Sequence, residues 1–314
     1  MNIQDPKIVD EIFLSKKSAW LYYVARLNQN EIAKKIGLSK MRVHRLIAFA
    51  EKNGFVKTFV EGGFDQTFKY ENALKDKYQL KICEVVPIED QNSDPLEMLG
   101  AAGARFIMNQ INENNISEFG IGTGSTISAI AKWLPKINQK IDFITLNGSL
   151  TSHNSIQTET GINQISYKTN GECYNVGMPL MLVSVEQKKV VENISFIKEI
   201  MEKAANTKVK ILGVGGLFDS SQIVRSKIFS AKSIEKLKKA GALGDVAGNF
   251  FDKNGELITI KETQKIFSVN IDSFKKSTTV LVAGGIEKTA QIRSVLKSGL
   301  FKGLITDEET SKQL

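Results

Sequence analysis

Over residues 28–52 the apolar positions recur at helical spacing, first at Ile32, Ala33 and Ile36, then at Val43, Leu46, Ile47 and Ala50. The pattern predicts two short helices joined by a tight turn over residues 30–47. Gly37 can take the left-handed conformation that ends a helix, Leu38 plugs the joint, and Ser39 is a good N-cap for the second helix. Asn53-Gly54 closes that helix. Upstream, residues 5–27 read as a supporting helix, with Ile8, Ile12, Trp20, Tyr23, Val24 and Leu27 expected to pack. Residues 55–60 read as a short strand-like exit and Glu61-Gly62-Gly63 as a flexible joint. A connecting helix over 64–78 follows, with Phe68, Ala73, Leu74 and Tyr78 available to pair with a second subunit.

From Lys81 the period changes, and strand-length apolar runs alternate with helical segments. ICEVVPI, ISEFGIG, IDFITL, VKILGVG, TTVLVA and GLIT read as strands, most of them buried on both faces. Asp94-Pro95-Leu96-Glu97 reads as a helix start, and Pro135 as the stop of a helix beginning at Ser125. The expected fold is therefore α/β. An N-terminal all-α helix-turn-helix domain (1–60) precedes a larger doubly wound, mostly parallel α/β domain (61–314).

Charge sharpens the division. Residues 1–60 hold 11 Lys and Arg against 5 Asp and Glu, a net of +6 within a chain total of +8. The excess at one end is the footprint of a small DNA-binding head on a near-neutral body. On the second helix the outward positions are Lys40, Met41, Arg42, His44, Arg45 and Ala48, which include three basic side chains and no carboxylate. Together with Ser39 at the helix N-terminus, Lys40, Met41, Arg42, His44 and Arg45 are the candidate contacts to double-stranded DNA in the major groove. An ordinary helical hairpin with a solvated basic face is the plainer alternative.

The apolar runs are too short to span a membrane, and MNIQDPKIVDEIF is too polar and acidic for a signal peptide, so a cytoplasmic location is expected. Two cysteines, Cys83 and Cys173, and two histidines, His44 and His153, provide neither a disulfide framework nor a histidine-rich metal site. No cofactor and no metal is expected.

In the large domain the strongest chemical signal is Gly120-Ile121-Gly122-Thr123-Gly124-Ser125-Thr126. A strand ends, the chain turns on small residues, and a helix begins, so that backbone N–H groups, hydroxyls and a helix N-terminus face an anion. The spacing is not G-x-G-x-x-G, no Walker lysine follows, and the next strand ends in Leu146-Asn147 without a ribose-binding carboxylate. Other small-residue turns are expected at strand C-termini: Asn147-Gly148-Ser149, residues 213–216 with Arg225 downstream, residues 241–248 with Asp245, and residues 283–288 with Lys288. Gly122, Thr123, Gly124, Ser125, Thr126, Asn147, Gly148, Arg225, Asp245 and Lys288 are thus the candidate effector-binding set. Arg225 and Lys288 would balance a phosphate, and Asp245 or Asn147 would hold hydroxyls.

Taken together, AWLYYVARLNQNEIAKKIGLSKMRVHRLI, GIGTGST, LNGSL, LKKAGALGDVAGNFFDKNGE and VAGGIEKTAQIRSVLKSGLFKGLITDEET resemble, in order and over nearly the whole chain, the SorC family of bacterial sugar-responsive transcriptional regulators. The resemblance implies an effector domain, DeoR-like, with the sheet topology of ribose-5-phosphate isomerases and glucosamine-6-phosphate deaminases. It also implies a homotetramer, a dimer of dimers, whose operator affinity is switched by a sugar, polyol or sugar phosphate. By the same resemblance the GTGST loop and Lys288 lie where members hold a ligand's phosphate. The landmark that sometimes carries a phosphate-binding arginine is Leu146-Asn147-Gly148 here, which leans toward a polyol or monophosphate. An isomerase- or deaminase-like enzyme with a fused DNA-binding head is the alternative. The D-G-A-D-E loop of such enzymes does not occur, and proton transfer would rest on Asp245 alone, so no catalytic residue is expected.

Overall fold

The computed structural model describes residues 6–57, 64–88, 94–150 and 160–314. The chain divides into two compact units, Met1–Gly62 and Gly63–Leu314. The joint expected at 61–63, the end of the 55–60 segment and His153 lie outside the described residues.

Among its described residues the first unit holds three helices, Pro6–Tyr23, Gln29–Ile36 and Lys40–Lys52. Asn28 caps the second through a capping box with Glu31, and Gly37 ends it at φ 71°. Ser39 Oγ accepts from Arg42 N, as its N-cap position dictates. Leu21, Ile32, Ala33, Val43 and Ile47 form the core. The expected packing of the first helix needs correction: Trp20 is 58% and Val24 61% exposed, while Ser15, Ser18, Ala19 and Leu21 are buried. The first helix packs on the third, and the distance between two helix axes is set by the side chains at their contact; here the small residues face inward. Residues 55–57 form no strand.

The second unit opens with the helix Phe64–Tyr78. Its Leu74 and Tyr78 are buried in the unit's own core, and Tyr78 Oη donates to Leu314 O, so those two residues are not available to a second subunit. The strands are β1 (Ile82–Val86), β2 (Glu118–Ile121), β3 (Asp142–Thr145), β4 (Cys173–Tyr174), β5 (Val209–Leu212), β6 (Gly215–Gly216), β7 (Gly244–Val246), β8 (Asn249–Phe251), β9 (Thr278–Val282) and β10 (Gly303–Asp307). Seven of them form one parallel sheet in the order β1-β10-β9-β5-β2-β3-β4. Phe119 and Phe143 stack at 5.4 Å within a core that takes in β2, β3, β5 and β9 and the helices Leu96–Asn114 and Ser125–Trp133. The sheet is doubly wound: after β2 the chain proceeds outward to β3 and β4, and after β5 it proceeds the other way to β9 and β10. The crevice between β2 and β5 is therefore the switch point where such sheets bind ligands. In register, Ile121 lies between Ile211 and Thr145, which brings the turns after β2, β5 and β3 to one edge.

The segment 241–248 departs from expectation. It does not end a strand of the main sheet; Gly244–Val246 is β7, the middle strand of a small antiparallel sheet, β6-β7-β8. Strand β6 begins three residues after β5 ends, so the small sheet folds over the carboxyl edge of the large one.

Candidate functional site

On the helix Lys40–Lys52 the apolar face is buried at Val43, Leu46, Ile47 and Ala50, while Lys40, Met41, His44 and Arg45 are exposed. Ser39 is exposed at the N-terminus of this helix. Arg42 is half-buried and forms an ion pair at 3.2 Å with Glu11, a carboxylate brought from the first helix. The face is thus less uniformly basic than the helix alone implies: free cationic charge is greatest at Lys40 and Arg45. His44 Nδ1 lies 3.5 Å from Gln29 Nε2, on the preceding helix of the pair.

In the second unit a cavity of about 200 Å³ opens at the carboxyl edge of β2, β3 and β5. Gly122, Thr123, Gly124, Ser125, Thr126, Asn147, Asp245 and Lys288 all line it. Gly124 sits at φ 114°, where a side chain is strained, and a Cβ there would lie 2.6 Å from Gln222 Oε1. Its position lets the helix Ser125–Trp133 start with no side-chain cap, leaving first-turn N–H groups toward the cavity. Lys288 ends the short turn Ile286–Lys288. Gly285 N, at the base of that turn, donates to Asp307 Oδ2 and Thr310 Oγ1, both at 2.8 Å. Asp307, fully buried, also accepts from Thr310 N and Oγ1, so the turn carrying Lys288 is held by a saturated network. A Cβ on Gly284 would lie 2.0 Å from Asp307 Oδ2, which is why the turn begins Gly-Gly. A second cavity of about 510 Å³ shares Ser125, Thr126, Glu287 and Lys288 with the first.

Two expected members are absent from the lining. Gly148 is buried against backbone: a Cβ there would lie 2.6 Å from Pro179 O, so it is a packing glycine. Arg225 is exposed at the end of the short helix Gln222–Arg225. The other end of that helix faces the cavity, through Ser221 and Gln222. Ser220, Ser221, Gln222 and Glu287 escaped the sequence reading as site residues, because polar side chains in turns have no periodicity that marks them.

At the inner side of the cavity are two buried polar residues. Asn147 is 4% exposed, and its Nδ2 donates to Thr123 Oγ1 (3.0 Å) and Gly148 O (2.9 Å). Asp245 is 5% exposed, and its Oδ2 accepts from Gly248 N at 3.1 Å. The Asn147 amide oxygen, Oδ1, and the second carboxylate oxygen of Asp245, Oδ1, have no hydrogen-bond partner. An unsatisfied buried polar atom costs about 1–3 kcal/mol. Burial pushes the Asp245 carboxyl up to about 7, a cost that the Gly248 N–H only partly offsets. Cys83 and Cys173, far apart in the fold, are raised by burial to about 12 and about 11, which makes both poor nucleophiles. Among the described residues no group of three or more His, Cys, Asp or Glu side chains is placed to hold a metal ion, and no helix is long and apolar enough to cross a membrane.

Residues 63–314 match the family described as "Putative sugar-binding domain", and residues 25–57 match that described as "Winged helix-turn-helix DNA-binding". The chain is similar to the erythritol catabolism regulatory protein EryD of Brucella abortus (strain 2308), 32% identical over 302 residues that cover 96% of each chain. It is 27% identical to the transcriptional regulator LsrR of Escherichia coli (strain K12), over 99% of this chain and 98% of that one. In structure it is similar to the full-length sorbitol operon regulator SorC of Klebsiella pneumoniae, with a TM-score of 0.78 at 20% identity, covering 96% and 97% of the two chains.

Proposed function

The chain belongs to the SorC family of sugar-binding transcriptional regulators, and on that premise we propose that a polyol or sugar monophosphate held in the cavity at the carboxyl edge of β2, β3 and β5 switches the affinity of the helix Lys40–Lys52 for operator DNA. The observation that carries the effector half is the uncapped start of the helix Ser125–Trp133 at a cavity that also contains Lys288. First-turn N–H groups and an ammonium supply a matched anion site, and Asn147 and Asp245 supply polar groups for hydroxyls. On the DNA side Lys40, Met41, His44 and Arg45 are the base- and phosphate-facing set, with Ser39 at the helix N-terminus and Arg42 held by Glu11. Residues 1–60 act as the DNA-binding domain and 61–314 as the effector and oligomerisation domain. We place the protein in the cytoplasm, with its operator, and read the working assembly as a homotetramer, which light scattering on the full chain would check.

The relatives are named as regulators, and the cavity carries two carboxylates, Asp245 and Glu287, without a histidine among its described lining residues. We read the cavity as a switch rather than a turnover site, which requires the ligand to bind the two DNA-affinity states unequally, by about 1–3 kcal/mol. Operator binding and thermal shift are measured in parallel for wild type and Gly124→Val while polyols and their phosphates are titrated. Wild type gains about 2.7 kcal/mol at a ligand concentration one hundred times its Kd. Gly124→Val loses that gain, still binds operator, and ignores effector. Full retention of the response in the variant, or chemical conversion of the ligand during the titration, would sink the proposal.

A further inference from the structure

In the second unit the exposed apolar surface is not scattered. Among its described residues nine large apolar side chains are exposed, and five of them, Val183, Val190, Ile194, Phe196 and Leu257, fall on or beside one helix, Val185–Glu192. Single exposed apolar residues need no cause, but a grouped patch marks a surface that meets something. The helix itself sharpens the point. It has eight residues and none is buried. Ser184 Oγ accepts from Gln187 N at 3.1 Å, and Asn193 Nδ2 donates to Lys189 O at 2.8 Å, so both ends are capped. Caps alone do not hold a helix this short, because most helical stability comes from packing an apolar face. On the inner side Val191 is half-buried against the cluster that contains Leu182 and Ile197. Val190, next to it, is 67% exposed.

Beside this helix lies a groove of about 340 Å³, lined by Lys188 and Glu192 from the helix and by Phe250, Leu257, Ile258 and Ile271 from β8 and the chain that follows it. The face therefore has both protruding and recessed apolar parts. Its charges are balanced. Residues 183–202 hold three lysines and four glutamates. Lys188 pairs with Glu192 at 3.4 Å, and Lys198 with Glu202 at 3.9 Å on the next helix, Ser195–Asn206. A polyanion such as DNA finds no excess of cations here, and a strongly charged protein finds no complement. A two-fold contact has the opposite requirement: one patch must fit itself, protrusion against groove and cation against anion.

We propose that the face carrying Val183, Val190, Ile194 and Phe196, with the groove beside it, is an isologous interface with a second copy of this chain. The proposal rests on the homo-oligomeric assembly read above and deepens it by assigning the surface. An apolar centre rimmed by lysines and glutamates is the make-up of a stable contact, which buries about 800 Å² per partner. Gly248, in the turn between β7 and β8, walls both this groove and the cavity that contains Asp245. A subunit seated in the groove thus rests against a turn that also bounds the effector cavity.

Sedimentation velocity on the full-length protein over a dilution series measures the assembly. Wild type should sediment as an oligomer. Val190→Lys, which places an ammonium within the contact, should halve the particle mass and weaken that association at least about a hundredfold. Phe196→Lys should do the same, whereas Val190→Ile keeps the face apolar and should keep the wild-type mass. Both positions are exposed in the single chain, and cooperative melting checks that the variants fold. Hydrogen exchange on wild type needs no variant: amides of the helix Val185–Glu192 should gain protection as the oligomer forms on concentration. An unchanged mass and dissociation constant in folded Val190→Lys and Phe196→Lys overturns the interface and leaves the homo-oligomeric reading standing, with another partner as the occupant of this face. An oligomer that forms without protecting the helix has the same meaning. A wild type that stays monomeric at every concentration overturns both.

Discussion

The two units hold their candidate sites by opposite means. In the first, the candidate DNA-contacting residues fall within one short stretch of sequence, lie on the outer face of one helix, and rest on a small core that they do not enter. In the second, the cavity is assembled from turns between Gly122 and Lys288, and its lining is continuous with the core: Leu180 and Ile223 belong both to the cavity wall and to a buried apolar cluster. A site carried on an outer face can be changed residue by residue with little effect on folding. A site cut into a core cannot, because the atoms that meet the ligand also hold the sheet and its loops together. The caps of the first unit are paired, though Ser18 Oγ in its first helix is buried without a hydrogen-bond partner, as are Asn147 Oδ1 and Asp245 Oδ1 in the second unit.

The largest expected effect tests how far the second unit depends on its buried polar groups away from the cavity. Lys210 is fully buried, and its Nζ donates to Ala205 O, Thr207 O and Ser277 Oγ at 2.9, 2.8 and 2.6 Å. All three acceptors precede β5 or β9, at the amino edge of the sheet. Lys210→Met strips these acceptors of their partner and should destabilise the unit by about 2–5 kcal/mol. Hydrogen exchange should show β5 and β9 losing protection while amides of the helix Lys40–Lys52 keep theirs. Equal loss in both units would erase the distinction drawn between them.

A smaller effect is expected on the helix Lys40–Lys52. Arg45→Ala should weaken operator binding by about 1–3 kcal/mol and leave folding almost unchanged. Glu11→Ala should act in the opposite direction on binding, because it frees the Arg42 guanidinium for DNA. Removing an exposed pair of this kind changes stability by less than about 1 kcal/mol. Filter binding at fixed salt, paired with thermal denaturation, checks both. If Glu11→Ala weakened operator binding, the pair would be positioning Arg42 rather than competing with DNA.

The last expectation concerns pH. Burial raises the Asp245 carboxyl from 3.8 to about 7, so the folded state holds a proton that the unfolded chain has released between those values. The sign follows from linkage: this group's contribution to stability falls as pH rises from about 4 to about 7, then levels off. Asp245→Asn removes that dependence. Its advantage over wild type should therefore be near zero at pH 4 and grow as pH rises toward 8. Denaturant melts across that range decide the matter, and a pH-independent difference would show that Asp245 is ionised or paired throughout.

Much of this was legible in the chain. The helical spacing from Ile32 to Ala50, with Gly37 and Ser39, placed the helices Gln29–Ile36 and Lys40–Lys52 and their caps, because helix formation and capping depend on neighbours within a turn or two. The strand runs around the GTGST turn were equally plain, since strands buried on both faces read as unbroken apolar segments. The short strands β4 and β6 have no such signature, and in sequence the segment of the small antiparallel sheet containing Asp245 reads as a turn at a strand end.

What the sequence by itself determined, then, is the period of each segment, its caps and turns, the charge asymmetry between head and body, and the small-residue turns that can approach a ligand. What only the tertiary structure decided is which of those groups meet. Trp20 faces outward because Ser15, Ser18 and Ala19 lie on the inner side of the first helix, and Arg42 is paired because Glu11 arrives from another helix. Gly148 is a packing residue because Pro179 crosses it, and Arg225 points away while Gln222, three residues earlier, reaches the cavity. Asn147 and Asp245, ninety-eight positions apart in the numbering, face the same space. Local propensity acts over a few residues, whereas burial, partners and unsatisfied atoms are properties of the space between elements, and that space is defined only when the sheet has closed around it.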